Sequence, residues 1–268
     1  MVVFTDVEKE DVEKLKGYSE NEPKTIYEEL RLTKNNVSLI LYTSGKLLLQ
    51  GKKELVDQIA EEISKLGIGK KVKKEVFRKE QGNIIGSDET LKGDSFGGLV
   101  VAAVKANDDM RKKLLELGVA DSKTLSDKEI LVMAEKIKRI ALCTVKSIFP
   151  EEYNIHSNKT TQWLDKLHQK CANDLKPGKH VVDKYPGCSV GDVRVERAES
   201  KYVEVAAASI LARSTGLKQL DYLSGLAGFT LPKGSTHVKL ALIELKHRKL
   251  NPKKYVKMDF SNVKKIFS

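Results

Sequence analysis

Long apolar runs are missing from this 268-residue chain. Nowhere do about 18 apolar residues follow one another, so no bilayer-spanning helix is expected. The opening residues MVVFTDVEKED lack a basic stretch followed by an apolar one. No secretory signal is read there, and a cytoplasmic protein is expected. Cysteine is scarce: Cys143, Cys171 and Cys188 are odd in number and lack metal-type spacing. Neither disulfides nor a zinc site is expected of them. There is no Ser-His-Asp arrangement, no phosphate-binding P-loop, no dinucleotide fingerprint and no internal repeat. His156, His168, His180 and His237 share no metal spacing, and each reads as structural or exposed.

Positive charge is plentiful. There are 48 Lys and Arg against 37 Asp and Glu, a formal net charge of +11. A surplus of this size favours a polyanionic partner, nucleic acid before an anionic membrane. The same surplus also fits a Lys- and Glu-rich surface serving solubility or a hot habitat.

The periodicity divides the chain into two segments joined by a basic stretch. In residues 1–66, Thr5 and Glu8 have capping-box spacing and predict a helix to about Lys16. Residues 23–33 fit a short helix without requiring one. Val37–Tyr42 and Lys46–Gln50 read as strands around the turn Thr43-Ser44-Gly45. Leu55, Ile59, Ile63 and Leu66 recur at helical spacing, completing a small α+β unit. Residues 67–80, GIGKKVKKEVFRKE, read equally as a solvated linker and as a phosphate contact. Residues 81–268 alternate strand and helix signals, with strands at 83–88, 97–104, 140–148, 180–183 and 193–195. Helices are predicted from the Ser126/Glu129 capping box to about Lys138, at 163–174 and at 202–215. This is an α/β pattern: a mixed sheet with helices packed on it.

Acids stand at the ends of two of those strands. Asp88 and Glu89 close an apolar strand before a glycine-containing loop. Charge at a sheet edge is costly unless paired, and a hard divalent cation is one partner for carboxylate oxygens. Two solvated loop acids are the alternative, and for an isolated pair the commoner one. Asp183 ends a second apolar strand, which Tyr185-Pro186-Gly187 would also suit as a turn start. Glu199 precedes a helix whose Ala206-Ala207-Ala208 allows close approach to a sheet. It also suits a first-turn acid favoured by the helix dipole.

Five segments carry a resemblance: GSDETLKGDSFGGLVVAA (86–103), LGVADSKTLSD (117–127), VVDKY (181–185), RAESKYVEVAAASILAR (197–213) and LPKGST (231–236). In this order they resemble ribonuclease HIII. YTSGKLLLQGK (42–52) resembles the TBP-like substrate-binding domain preceding the catalytic domain in that family. The resemblance implies a ribonuclease H fold at 81–268, a TBP-like domain at 1–66 and a basic linker at 67–80. It implies an endonuclease that cleaves the RNA strand of RNA–DNA hybrids, leaving 5′-phosphate and 3′-hydroxyl ends. Asp88, Glu89, Asp183 and Glu199 match the four catalytic carboxylates, with Mg2+ or Mn2+ as cofactor, two ions per site. Glutamate at 199, where ribonuclease HII usually has aspartate, points to the HIII type. A monomer with no membrane partner is expected.

Weaker positions follow from the same resemblance. Lys92 and Gly93 match part of a Gly-Lys-Gly that lies against ribose, but Leu91 stands at its first glycine. Glycine there permits positive φ and close approach to the sugar, so leucine is expected to disturb ribose recognition. Gly98 stands where the family commonly has proline, with little consequence expected. Asp121, Ser122 and Lys123 fit substrate positioning and a helix-start turn equally. Ser200 and Lys201 flank Glu199, where Lys201 either meets phosphate or neutralises the acid. Lys233, with Gly234 and Ser235, suits a phosphate-binding turn or a plain loop. Ser44 and Lys46 sit on the first domain's hairpin, where hairpin chemistry alone accounts for Gly45. Tyr42 and Trp163 read as core rather than stacking residues.

Overall fold

The computed structural model of the chain describes residues 2–71, 81–119, 125–155 and 160–267. Two compact units are present, Met1–Lys74 and Glu75–Ser268. Among the described residues no helix is long and apolar enough to cross a membrane.

The first unit is a six-stranded sheet with two helices. Its strands are β1 (Val2–Thr5), β2 (Ser19–Asn21), β3 (Glu28–Lys34), β4 (Val37–Tyr42), β5 (Lys46–Gln50) and β6 (Lys70–Lys71), in the order β2-β3-β4-β5-β1-β6. The expected hairpin is β4–β5, with Tyr42 opposite Lys46. One expectation fails here. The helix predicted from Thr5 is a strand followed by a short helix, α1 (Lys9–Glu13), whose N-cap is Glu8 without a side-chain cap. Val2, Val3 and Phe4 pair with β5, and Phe4 is fully buried, so sheet burial overrides the local capping signal. The ambiguous 23–33 stretch holds the start of β3, whose Leu30 and Leu32 alternate inward on strand period. Helix α2 (Lys53–Lys65) buries Val56, Ile59, Ala60 and Ile63 in the same core, leaving Leu66 exposed. Ile68 is buried there too and β6 pairs with β1, so this end of the basic stretch belongs to the unit. Residues 72–80 lie outside the described residues.

The second unit is a five-stranded mixed sheet between helices, as the resemblance implies. Strands β7 (Ile84–Thr90), β8 (Leu99–Ala106) and β9 (Leu142–Ile148) form an antiparallel meander. Strand β10 (Lys179–Asp183) lies parallel to β7, and β11 (Val193–Val195) is the parallel edge beside it. Helices α3 (Asp108–Leu117) and α4 (Asp127–Ile140) separate β8 from β9, and α4 has the complete Ser126/Glu129 capping box. Helices α5 (Pro150–Ile155) and α6 (Thr160–Leu175) precede β10; α7 (Val203–Ala227), α8 (Val238–His247) and α9 (Ser261–Phe267) follow β11.

Strand β8 is apolar apart from Lys105 because both its faces are covered. Val100, Ala102 and Val104 pack with Ala206, Ala207 and Ile210 of α7. Leu99, Val101 and Ala103 pack with Trp163, Leu164 and Cys171 of α6 on the other face. The small residues draw α7 onto β7: a Cβ at Gly86 would collide with the backbone of Glu204 and Val205.

Candidate active site

Strand register brings the first two acids together. Val182 pairs with Ser87 across the parallel strands β10 and β7, so Asp183 comes level with Asp88. Neighbouring strands lie about 4.8 Å apart. Alternation then sorts the side chains. Gly86 faces α7, so Asp88 does too; Val181 packs with Ala198 and Val205, which puts Asp183 on that same side. Glu199 arrives on a 3-10 turn, Ala198–Ser200, entered through Arg197 in the left-handed region. The turn is tied to Asp183, whose Oδ1 accepts from the Ala198 N–H at 3.0 Å. Asp183 also shares a side-chain hydrogen bond with Glu199.

Crowding controls the charge of these groups. Burial, and then the negative charges of Glu89, Asp183 and Glu199, hold the Asp88 carboxyl well above the ordinary carboxylate range; the hydrogen bond from the Glu89 N–H opposes them. Burial, the charges of Glu199 and Glu89 and the shared hydrogen bond raise Asp183 to about 6, against the Ala198 N–H. Among the described residues no three acids, histidines or cysteines already converge on one point as a metal cage. Burial favours protons on Asp88 and Asp183, Asp183 shares a hydrogen bond with Glu199, and the donor set is hard oxygen throughout. Such a set fits a divalent cation, whose charge would replace those protons.

Glu89, one residue on, faces the other side. Its Oε1 pairs with Lys92 Nζ at 2.5 Å and its Oε2 with His168 Nε2 at 3.2 Å. Burial acts to raise this carboxyl, but His168 and Lys92 outweigh it and the pKa falls. Beneath it Ser87 Oγ lies 2.8 Å from His168 Nδ1 and 2.8 Å from His180 Nε2. Burial, then the neighbouring His168, lowers His180 to about 4. His168 and His180 are thus buried parts of the network under Glu89. The sequence contained only one hint of this: His180 and Ser87 both stand on strands that end in candidate acids.

The family description Ribonuclease HII matches residues 85–263. A ribonuclease HIII of Limosilactobacillus fermentum is 34% identical over 208 residues, covering 68% of this chain and 68% of the relative. One from Lactococcus lactis is 31% identical over 283 residues, covering 94% and 92%. This chain belongs to the ribonuclease HIII family. Bst-RNase HIII in complex with Mn2+ superposes with a TM-score of 0.64 at 26% identity, covering 99% of this chain and 97% of that one. Aquifex aeolicus RNase H3 gives 0.57 at 28% identity, with 97% and 100% covered. The second unit has the ribonuclease H fold, and the activity is that of an endoribonuclease on RNA–DNA hybrids.

One loop departs from the ribonuclease HIII pattern at Leu91. Leu91 adopts φ 64°, the left-handed conformation that glycine takes without strain. A left-handed leucine costs roughly 1–2 kcal/mol. Its side chain is buried, and burying a leucine contributes about 1.5–3 kcal/mol, enough to offset that strain. Gly97 makes the room: a Cβ there would lie 2.8 Å from Leu91 Cδ1. Gly98 is closely packed: a Cβ there would collide with the Ile148 carbonyl.

The remaining candidates are scattered. Lys92 is engaged with Glu89 and lies 5.6 Å from the Tyr185 ring centroid, while the space beside Gly93 is open. Ser200 Oγ donates to Arg197 O at 2.7 Å, and the Lys201 N–H closes the same turn on Ala198 O at 2.9 Å. Lys233 pairs with Asp127, which also holds Arg213 at 2.9 Å, so it is tied to the start of α4. Ser44 and Lys46 are exposed on the first unit's hairpin, and Tyr42 there is half-buried. Trp163 is core; His237 is exposed at the N-cap of α8. Asp121, Ser122, Lys123 and His156 lie outside the described residues.

Proposed function

We propose that Asp88, Glu89, Asp183 and Glu199 hold divalent metal, two ions of Mg2+ or Mn2+, at the scissile phosphate of the RNA strand. The products are 5′-phosphate and 3′-hydroxyl ends. The observation that carries this reading is the crowding of Asp88, Asp183 and Glu199, in which burial and mutual repulsion raise two carboxyls. A cluster of this kind gains from a cation and only loses by facing phosphate without one. That argues against a non-catalytic binding module on the same fold. The manganese complex of Bst-RNase HIII supports the choice of metal. When bound, such cations lower the pKa of a water toward neutrality and offset charge on the leaving 3′-oxygen.

The chain's own groups supply position. The Ala198 N–H fixes Asp183, and His168, braced by Ser87, fixes Glu89. Lys92 and Gly93 lie against ribose, where the 2′-hydroxyl separates RNA from DNA. Asp121, Ser122, Lys123, Ser200 and Lys201 contact the substrate strand, and Lys233 joins them by exchanging Asp127 for phosphate. The first unit, with Ser44 and Lys46 on its hairpin, binds the hybrid as a TBP-like domain. The protein works as a cytoplasmic monomer.

Incubating an RNA–DNA hybrid with the protein under Mg2+ and under Mn2+, beside Asp88→Asn and Asp183→Asn, tests the metal site. Wild type should cut and both variants should fall to background; variants that cut like wild type sink the assignment. Removing the first compact unit, Met1–Lys74, should weaken hybrid binding, and unchanged affinity removes its role. Sedimentation as a single 30.0 kDa species checks the monomer.

A further inference from the structure

Lys257 lies between α8 and α9 and is 0% exposed. Its ammonium donates to three carbonyl oxygens: Leu91 at 3.0 Å, Gly97 at 2.9 Å and Gly98 at 3.1 Å. All three belong to the loop between β7 and β8, which begins two residues after Glu89. The backbone repeats the contact. Lys257 N–H donates to Ser95 O at 3.0 Å, and Gly97 N–H donates to Tyr255 O at 3.0 Å. Phe96 and Val256 form an antiparallel bridge, and Asn262 Nδ2 donates to Ser95 Oγ at 2.8 Å. The rings of Phe260 and Tyr153 stand 5.1 and 5.8 Å from the ammonium.

A buried ammonium is retained only where its hydrogen bonds offset the lost hydration. Burial lowers its pKa to about 7, opposed by Asp94 and Asp259, while its three hydrogen bonds all go to carbonyls of one loop and fix that loop's shape. The Leu91 carbonyl belongs to the peptide plane leading into Lys92. Fixing its oxygen fixes the direction in which Lys92 and Gly93 set out. That control matters most in this chain because Leu91, at φ 64°, holds a conformation leucine disfavours and glycine accepts.

We propose that Lys257 is a positioning residue for ribose recognition, clamping Leu91, Gly97 and Gly98 so that leucine keeps the loop course a glycine would take unaided. The inference rests on the reading that Lys92 and Gly93 face ribose. It gives the C-terminal segment a part in substrate selection that none of its lysines advertises in the sequence.

A double-mutant cycle on the full chain tests it, combining Lys257→Met with Leu91→Gly. Three readouts are taken: hybrid cleavage with Mg2+, amide hydrogen exchange across residues 92–98, and the melting temperature. In the leucine background Lys257→Met should lower kcat/KM about tenfold, chiefly through KM, and speed loop exchange by a similar factor. In the Leu91→Gly background the same change should lower kcat/KM less than about threefold. Equal losses in both backgrounds, or an altered melting temperature with unchanged KM and loop exchange, overturn the proposal. If Lys257→Met does not fold, Lys257→Arg decides. Arginine keeps the charge but cannot aim its planar fork at three converging carbonyls, so exchange at 92–98 should quicken. Wild-type exchange and KM in that variant overturn the proposal. A wild-type protein that leaves the hybrid intact fails the functional reading instead, while loop exchange still reports on the clamp.

Discussion

Asp88 and Glu89 are consecutive on one strand, yet their acidities part in opposite directions. The face of the sheet decides which way. Toward α7, Asp88 is buried beside Asp183 and Glu199; burial first, then the charge of Glu89 and lastly theirs, holds its carboxyl well above the ordinary range. Toward α6, Glu89 meets His168 and Lys92, and its carboxyl is held below it. One side gathers acids that repel one another, the other holds an acid paired with Lys92 and His168. The pair therefore suits two tasks: collecting a cation on one face and keeping a fixed orientation on the other.

The largest effect expected of breaking this contrast is on activity. Asp88→Asn leaves the backbone contact of the side chain possible but removes a charge from the cluster, so hybrid cleavage should fall to background. A folded variant that keeps a tenth or more of wild-type turnover would contradict the assignment. On the other face, His168→Ala should lower activity by about 10–100-fold, the scale seen when a ligand's orienting partner is lost. It should also destabilise the protein by about 1–3 kcal/mol by stranding Ser87 and Glu89. Chemical denaturation beside steady-state rates separates the two effects; a stability loss without a rate loss would make His168 purely structural.

Stability against pH sharpens the comparison further. A carboxyl whose folded pKa is raised contributes stability below its unfolded value, near 3.9, and loses it as pH rises toward the folded pKa. Asp88 and Asp183 both behave this way. His180, lowered to about 4, acts oppositely: its contribution is lost as pH falls from about 6.5. The two trends overlap in wild type, so the difference between Asp88→Asn and wild type is the clean measure. Without added metal, that difference should favour the variant increasingly from pH 4 upward, and Mg2+ should shrink it. Melting curves at pH 4.5, 6 and 8 read it directly, and a flat difference would mean that Asp88 is not crowded. The smallest effect belongs to Leu91→Gly. Losing the buried side chain costs about 2–5 kcal/mol and relief of the left-handed strain returns about 1–2, so a net loss of about 0–4 kcal/mol is expected in denaturant titrations.

Much of the architecture was legible beforehand. The β4–β5 hairpin, the α4 capping box and the apolar strand β8 follow from local pattern, because turn chemistry, capping and alternation act over a few residues. The first strand did not, since Thr5 and Glu8 mimic a helix start while pairing of Val2–Phe4 with β5 outweighs it. The serine and histidines beneath Glu89 were missed for a different reason: Ser87, His168 and His180 lie 81 and 93 residues apart along the chain and meet only through packing. Lys257 was hidden among the other lysines of the basic C-terminal segment.

The sequence by itself determined the two segments, the strands of the second one, and four acids at strand and helix ends. Those depend on residue type and short-range spacing. Only the tertiary structure decided which acids crowd one another, which one carries a histidine partner, and how a leucine keeps the conformation of a glycine. Each of those outcomes depends on which residues distant in sequence share a sheet face, and burial there changes both the charge a carboxyl can hold and the strain a backbone can keep.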